Sequence, residues 1–261
     1  MIRRVAISLT RLPSAFDGTT VAAIADLHLR RGRPTAAVEQ LVEAVNARRP
    51  ELVVLLGDLL HRARGSAEPL APLAGLQAPL GVYACLGNHE HGFMWYSRYL
   101  KPSAPSVEEW RARLAELGIT LLHNEARPIA RGKVRLWLVG VGDAYCEHDD
   151  LAAALRGVPE DEFRLAITHS PDLLDDPNAA HLDLLLAGHT HGGQVRVPGI
   201  GALWAPCRRP RRRASGLLHI GPALAYVSRG VGEGLPLRLF CPRELPLITL
   251  RPPPWVRATR H

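Results

Sequence analysis

The sequence predicts an α/β domain, and three observations predict it. Five apolar runs of strand length, at 21–25, 52–56, 81–86, 165–168 and 182–187, are bounded by polar or turn residues. Segments with apolar residues at helical spacing fall between runs in the first half of the chain, as in βαβ architectures. Each of the five runs gives way at its carboxyl end to a small cluster of Asp, His or Asn. In open α/β sheets the loops at the carboxyl ends of strands gather into one site.

Residues 2–9 alternate loosely and read as a first strand, and Leu12-Pro13 with Asp17-Gly18 marks a turn. The run 21–25 is a buried strand ending at Asp26-Leu27-His28. Residues 34–48 carry Ala37, Val38, Leu41, Val42 and Val45 at helical spacing, and Pro50 stops the helix. The strand at 52–56 ends at Gly57-Asp58. Residues 63–80 are rich in Ala, Pro and Gly and hold at most a short helix. The strand at 81–86 ends at Gly87-Asn88-His89-Glu90, and residues 91–106, with Phe93, Trp95, Tyr96 and Tyr99, read as an irregular loop. A helix follows at 107–117, stopped by Gly118.

The second half changes rhythm. Residues 119–122, 126–129 and 134–141 read as strands, the last two joined by a tight turn at Arg131-Gly132. A short helix is expected at 149–156. The strand at 165–168 ends at His169-Ser170-Pro171-Asp172, and the strand at 182–187 ends at Gly188-His189-Thr190-His191-Gly192-Gly193-Gln194. Beyond it the chain is turn-rich, with short strands expected near 195–197, 217–220, 224–228, 237–240 and 246–250. The tail 252–261 is proline-rich and basic, and reads as loosely ordered. With no linker and no repeat of fixed period, residues 1–261 read as a single domain.

Composition narrows the class. The 261 residues suffice for one sizeable core, and the apolar (47%) and charged (22%) fractions are those of a globular protein. The formal charge of +7 and pI of about 9.7 favour anionic partners without choosing among them. Cys85, Cys146, Cys207 and Cys241 form no CxxC pair and read as mostly buried thiols of a reducing compartment. The N-terminal apolar run is short and interrupted, which argues against a secretory signal. No uninterrupted apolar stretch of about 20 residues is present. The expected location is cytoplasmic, at most peripheral to the inner face of a membrane.

Taken one at a time, the strand-end residues have ordinary roles. Asp26 reads as a helix cap, Asp58 and Asn88 as turn residues, and His169 as a core histidine. Together, in this order, they are types that bind hard and borderline cations. The blocks Asp26-Leu27-His28, Gly57-Asp58, Gly87-Asn88-His89-Glu90, His169 and Gly188-His189-Thr190-His191 resemble the five motifs of the calcineurin-like metallophosphoesterases. The resemblance spans residues 21–194. Leu12-Pro13, Asn124-Glu125, His169-Ser170-Pro171-Asp172, Gly192-Gly193-Gln194 and Ser228-Arg229-Gly230 extend it toward the bacterial YkuE/YaeI-like phosphodiesterase branch.

That resemblance implies a four-layer α/β/β/α sandwich of two mixed sheets flanked by helices. It implies two divalent metal ions, of the Mn, Fe or Zn kind. Asp26, His28, Asp58 and His191 would hold the first, and Asp58, Asn88, His169 and His189 the second, with Asp58 bridging. A water between the metals would attack phosphorus in line, cleaving a phosphodiester, pyrophosphate or phosphomonoester. His89 would stand outside the metal set, near the leaving group, as general acid or as donor to the phosphate. Many relatives carry an acidic residue three positions after the Gly-Asp aspartate, where it pairs with the motif histidine. This chain has His61 there, so the partner orienting His89 is open, with Glu90 the neighbouring candidate.

Other residues carry weaker signals. His91 adjoins the motif and could line the pocket. Asp143 reads as a loop-fixing hydrogen-bond residue, and His123, His148, His181 and His219 have no motif partner. The loop with Trp95, Tyr96 and Tyr99 reads equally as a wall over the site or as ordinary packing. Arg208, Arg209, Arg211, Arg212 and Arg213 form the strongest local charge signal. They read either as a solvated loop or as a peripheral contact for phosphate or lipid headgroups, with Trp204 as an interfacial anchor. Nucleic acid ranks below lipid, because no aromatic interleaving or recognised module accompanies the arginines. The substrate expected is a phosphorylated small molecule, nucleotide-type or lipid-linked. The other readings are a peripheral membrane-binding scaffold working through the 208–213 arginine loop, and a nuclease of the same chemistry.

Overall fold

The computed structural model describes residues 2–30, 35–62, 68–93, 104–220, 223–232 and 237–255. The expectations for Trp95, Tyr96 and Tyr99, and for the tail beyond 255, lie outside the described residues.

In the first half, β1 (Ile2–Ser8), β2 (Thr20–Ile24), α1 (Ala36–Asn46), β3 (Leu52–Leu56), β4 (Val82–Cys85), α2 (Val107–Ala115) and β5 (Thr120–Leu121) follow in order. The Pro-rich stretch before β4 forms a 3-10 helix, Glu68–Gly75, with Pro72 inside it. The second half contributes β6 (Glu125–Arg131), β7 (Val134–Gly140), α3 (Leu151–Ala154), β8 (Arg164–Ile167) and β9 (Leu184–Ala187). It continues with β10 (Arg196–Val197), β11 (Gly201–Ala202), α4 (Pro210–Arg213), β12 (Gly216–Ile220), β13 (Ala223–Val227) and β14 (Leu245–Arg251). Local chemistry sets the helix ends: Ser106 and Glu109 form a reciprocal capping box on α2, and Asp150 caps α3.

Two six-stranded mixed sheets result, in the orders β1-β14-β2-β3-β4-β5 and β12-β13-β9-β8-β7-β6. β2, β3 and β4 are parallel neighbours, with Val21 opposite Leu52 and Val53 opposite Val82. β7, β8 and β9 are parallel neighbours in the second sheet. Alternation along the strands divides the core. Val21, Ala23, Leu52, Val54 and Leu56 meet Leu136, Leu138, Leu165, Ile167, Leu184 and Leu186 between the sheets. Ala22, Ile24, Val53 and Leu55 turn outward onto α1, α2 and the 3-10 helix, and Val139, Ala166 and Leu185 pack beneath α3. Both faces of each sheet are thus covered, which is why the strands read as continuous apolar runs and not as alternating ones. The layers are helix, sheet, sheet, helix, as the resemblance implies.

Three expectations are revised. The strand near 237–240 is a single bridge, Leu239 to Val195, because Leu237, Leu239 and Phe240 face solvent and have no sheet to join. The tail is packed at its start: Pro252 and Pro253 are buried directly after β14. Arg213 is buried and bonded to Asp175 at 2.8 Å, so it leaves the proposed surface arginines. No helix among the described residues is long and apolar enough to cross a membrane.

Candidate metal centre

All five motif blocks lie at carboxyl ends of parallel strands: Asp26 and His28 after β2, Asp58 after β3, Asn88 and His89 after β4, His169 after β8, and His189 and His191 after β9. The chain continues the sheet's pairing past the strands, with Asp26 N bonded to Gly57 O at 3.2 Å and His28 N to Asp58 O at 2.9 Å. Asp26, His28, Asp58, His189 and His191 all take positive φ, between 48° and 69°. Each such non-glycine residue costs on the order of 1–2 kcal/mol, and strain of this kind concentrates at functional sites. Gly57 makes the approach of the sheets possible. At φ 78° a Cβ there would stand 2.7 Å from both Gly87 N and His169 Nδ1. Gly188 does the same across the site, where a Cβ would meet Ala25 Cβ at 2.8 Å and Asp26 Oδ2 at 3.0 Å.

The side chains converge as two groups. Asp26, His28 and His191 offer donor atoms within 4.8 Å of one another, and so do Asp58, His169 and His189. His28 Nε2 faces His191 Nε2 at 3.0 Å, and His189 Nδ1 faces His169 Nε2 at 3.1 Å. Asp58 reaches both groups, with Oδ1 3.3 Å from His169 Nε2 and Oδ2 3.6 Å from His28 Nε2. Among the described residues no donor satisfies Asp26 Oδ2 or Asn88 Oδ1, although both atoms are buried. Asn88 is oriented by its own Nδ2, which donates to Phe93 O at 2.8 Å and so aims the oxygen. Buried oxygens without a partner are rare, and a cation satisfies them. The donor set of carboxylates, imidazoles and one amide therefore fits divalent metals.

Backbone carbonyls set the imidazoles. His169 Nδ1 donates to Leu56 O at 2.7 Å, leaving Nε2 to face Asp58. His89 Nδ1 donates to the carbonyl of His61 at 2.6 Å, leaving Nε2 3.7 Å from Asp58 Oδ2. The main chain of His61, and not the side chain of Glu90, holds the Nδ1 side of the His89 ring. Glu90 does not perform that task. Its buried carboxylate accepts from Asp58 N (2.8 Å), Gly87 N (2.9 Å) and Leu60 N (3.0 Å), which splices the β3 and β4 loops. The indole of buried Trp110 holds the Glu90 carbonyl from α2 at 3.3 Å. Glu90→Gln presents an amide group where a carboxylate oxygen accepted. It is expected to cost about 2–3 kcal/mol, seen in thermal unfolding as a fall of roughly 4–12 °C. An unchanged melting temperature would show that these bonds do not hold the loops.

Burial keeps three of the histidines neutral. Burial holds His28 and His189 well below the usual histidine range, and burial with the nearby Arg238 guanidinium brings His191 down to about 3. Burial pushes Asp26 up to about 7. Burial opposes ionisation of Asp58 too, but His169, His89 and His28 around it hold it well below the carboxylate range. His169 is its counterpart: burial lowers it, yet Asp58, Asp143 and Asp26 hold it well above an ordinary histidine. Burial is the first cause throughout, and only the Asp58–His169 pair overcomes it, each partner stabilising the other's charge.

Residues 19–193 match the family described as calcineurin-like phosphoesterase. The chain belongs to the calcineurin-like phosphoesterases. It is 32% identical over 235 residues to phosphodiesterase YaeI of Escherichia coli strain K12, covering 87% of this chain and 80% of that protein. It is 26% identical over 248 residues to the uncharacterized metallophosphoesterase YkuE of Bacillus subtilis strain 168, covering 92% and 82%. UDP-2,3-diacylglucosamine pyrophosphatase LpxG of Chlamydia muridarum is 25% identical over 291 residues, covering 90% and 85%. The protein is a hydrolase of phosphoric ester bonds with a binuclear divalent metal centre.

Within this calcineurin-like phosphoesterase, motif reading missed two side chains beside the centre. Tyr145 lays its ring 4.3 Å from His189. Arg238 reaches His191 Nδ1 at 3.4 Å while donating to the carbonyls of Arg229 and Gly232. The signal in Leu237-Arg238-Leu239 was one charge among apolar neighbours. Asp143 is wholly buried and accepts from Tyr145 N at 3.2 Å, a loop-fixing geometry. His91 stacks on His148 at 3.8 Å and approaches His123 at 5.9 Å, so these histidines form a group at the flank of the motif. Arg209 stands near the carboxylate of Asp175 at 3.4 Å, and the backbone of Arg208 donates to Asp172.

Proposed function

We propose that Asp26, His28, Asp58 and His191 bind one divalent cation, that Asp58, Asn88, His169 and His189 bind a second, and that His89 serves the leaving group. The observation that carries this reading is Asp58, whose two oxygens lie 3.3 Å and 3.6 Å from imidazoles of the two groups. When bound, the two cations supply an acidified water as nucleophile and neutralise charge on the phosphoryl oxygens. The chain's own part is to hold three imidazoles neutral, to present Asp26 and Asn88 oxygens inward, and to keep His89 Nε2 free beside the site. His89 Nδ1 is committed to the His61 carbonyl, so Nε2 is the atom that can give a proton to a departing alkoxide or phosphate.

The substrate proposed is a phosphodiester or pyrophosphate of an amphiphilic, lipid-linked molecule. The pyrophosphatase relative is named for a diacylated nucleotide sugar, and the basic charge balance suits an anionic substrate. Peripheral contact with anionic headgroups through Arg208, Arg209, Arg211 and Arg212 is part of the same reading. So is a single domain over 1–261, supported by the place of the C-terminal β14 between β1 and β2.

Metal loading tests the centre. Asp26 is raised to about 7, so in the metal-free protein it is mostly protonated at pH 6 and mostly ionised at pH 8, while His169 is raised and keeps its proton; cations must displace these protons. Titrating Mn into metal-free protein is expected to reach two ions per chain and to release protons. The release should be larger at pH 6 than at pH 8, read by calorimetry in buffers of different ionisation enthalpy. The loaded protein should hydrolyse a soluble aryl phosphodiester and lose that activity to a chelator. One ion per chain, or turnover that survives chelation, would overturn the reading.

A further inference from the structure

Two properties coincide in one stretch of the chain. Residues 194–243 contain nine arginines and a single acidic residue, Glu233, while the rest of the chain has 23 basic and 24 acidic residues. The whole positive excess of the protein therefore lies there. Among the described residues nine large apolar side chains are exposed, and seven of them belong to the same stretch. Leu217 on β12 is one, and the other six are Ile200, Leu203, Trp204, Leu237, Leu239 and Phe240, each between 49% and 64% exposed.

These six sit on adjoining segments. β10 pairs with β11, Leu203 N reaches Val195 O at 3.4 Å, and Val195 bridges to Leu239. Arg196 N donates to Leu239 O at 3.0 Å, Leu239 N to Gln194 O at 2.9 Å, and Gln194 Nε2 to Leu237 O at 3.1 Å. The group adjoins the metal centre directly. Gln194 is three residues beyond His191, Arg238 Nη2 is 3.4 Å from His191 Nδ1, and Cys241 Sγ is 3.3 Å from His191 O. Arg208, Arg209, Arg212 and Arg243 are exposed in the same stretch.

We propose that this apolar rim, ringed by arginines, inserts into the headgroup and upper acyl region of an anionic phospholipid bilayer and sets the metal centre at headgroup level. Aromatic and aliphatic tips with surrounding cations are the composition of interfacial anchors, and a contiguous exposed apolar group needs such a partner. Charge complementarity selects an anionic bilayer, because exposed Arg208, Arg212 and Arg243 match anionic headgroups and would be unmatched by a purely apolar partner. The proposal rests on the lipid-linked reading above and adds its geometry. A phosphoester held at the membrane surface reaches the metals while its acyl chains stay in lipid. Gln194 joins the His189–His191 loop to the inserting rim.

The test is co-sedimentation of the full chain with vesicles of phosphatidylcholine alone, or with about 30% phosphatidylglycerol. Hydrolysis of a soluble aryl phosphodiester is assayed in parallel. Wild type is expected to partition onto anionic vesicles at least about tenfold more strongly than onto neutral ones, and Trp204→Ser with Phe240→Ser to lose about tenfold of that. The double variant should keep its soluble-substrate rate. Should it unfold, Ile200→Ser and Trp204→Ser singly, checked by thermal melting, carry the same expectation in part. Wild type that ignores anionic vesicles, or an apolar variant that binds them undiminished, overturns the proposal. So does a wild-type dimer in velocity sedimentation that the variant dissociates, which would assign the rim to a second copy. Loss of soluble hydrolysis in every protein with vesicle binding intact would instead indict the metal-centre reading.

Discussion

Asp58→Asn is expected to lower turnover of a phosphodiester by at least about a thousandfold and to leave fewer than two metals per chain. One carboxylate oxygen faces His169 at 3.3 Å and the other faces His28 at 3.6 Å, so a single side chain serves both groups. Asparagine keeps the volume but turns one acceptor into a donor and removes the negative charge. Loss of a shared anionic ligand forfeits several kcal/mol of charge stabilisation, and each 1.4 kcal/mol is tenfold. Steady-state kinetics together with elemental analysis read both effects. Undiminished turnover would sink the two-metal assignment.

The second large effect is expected at His89. His89→Ala should keep both metals and lose about a hundredfold to ten-thousandfold in kcat, the usual contribution of a positioned acid or base. His89 Nε2 stands 3.7 Å from Asp58 Oδ2, beside the proposed bridging ligand, while its backbone N donates to Asp58 Oδ1 at 3.0 Å. The two substitutions separate by their signatures, metal loss for Asp58 and rate loss with metals retained for His89. A substrate with an acidic leaving group needs less help from a proton donor and should suffer less in His89→Ala. Loss of a metal in His89→Ala would contradict its place outside the ligand set.

Much of the site was legible because its residues follow strands. Apolar runs mark β2, β3, β4, β8 and β9 through residue type alone, and the cluster after each run names the donors. The helix expected at 107–117 is likewise a local matter, and α2 runs over Val107–Ala115. What escaped was carried by backbone atoms or by distant pairing. The His61 carbonyl that orients His89 has no side-chain signature, and His61 in a conventionally acidic position drew attention to the wrong atom. Glu90 looked like a partner for the adjacent His89, yet it turns to three amides on both loops. Arg213 looked like its four cationic neighbours until packing buried it on Asp175.

By itself, then, the sequence determined which residues end the strands, in what order, and what chemistry those residue types support. These are matters of period and side-chain identity, and they act locally. Only the tertiary structure decided that β14 returns between β1 and β2, that the two sheets bring five strand ends together, and that 200–204 lies beside 237–240 at the rim of the centre. The physical reason is that strand register and sheet packing are contacts between residues far apart in the chain. They are selected by the summed burial of both faces and by hydrogen bonds common to every residue, so no single position announces them.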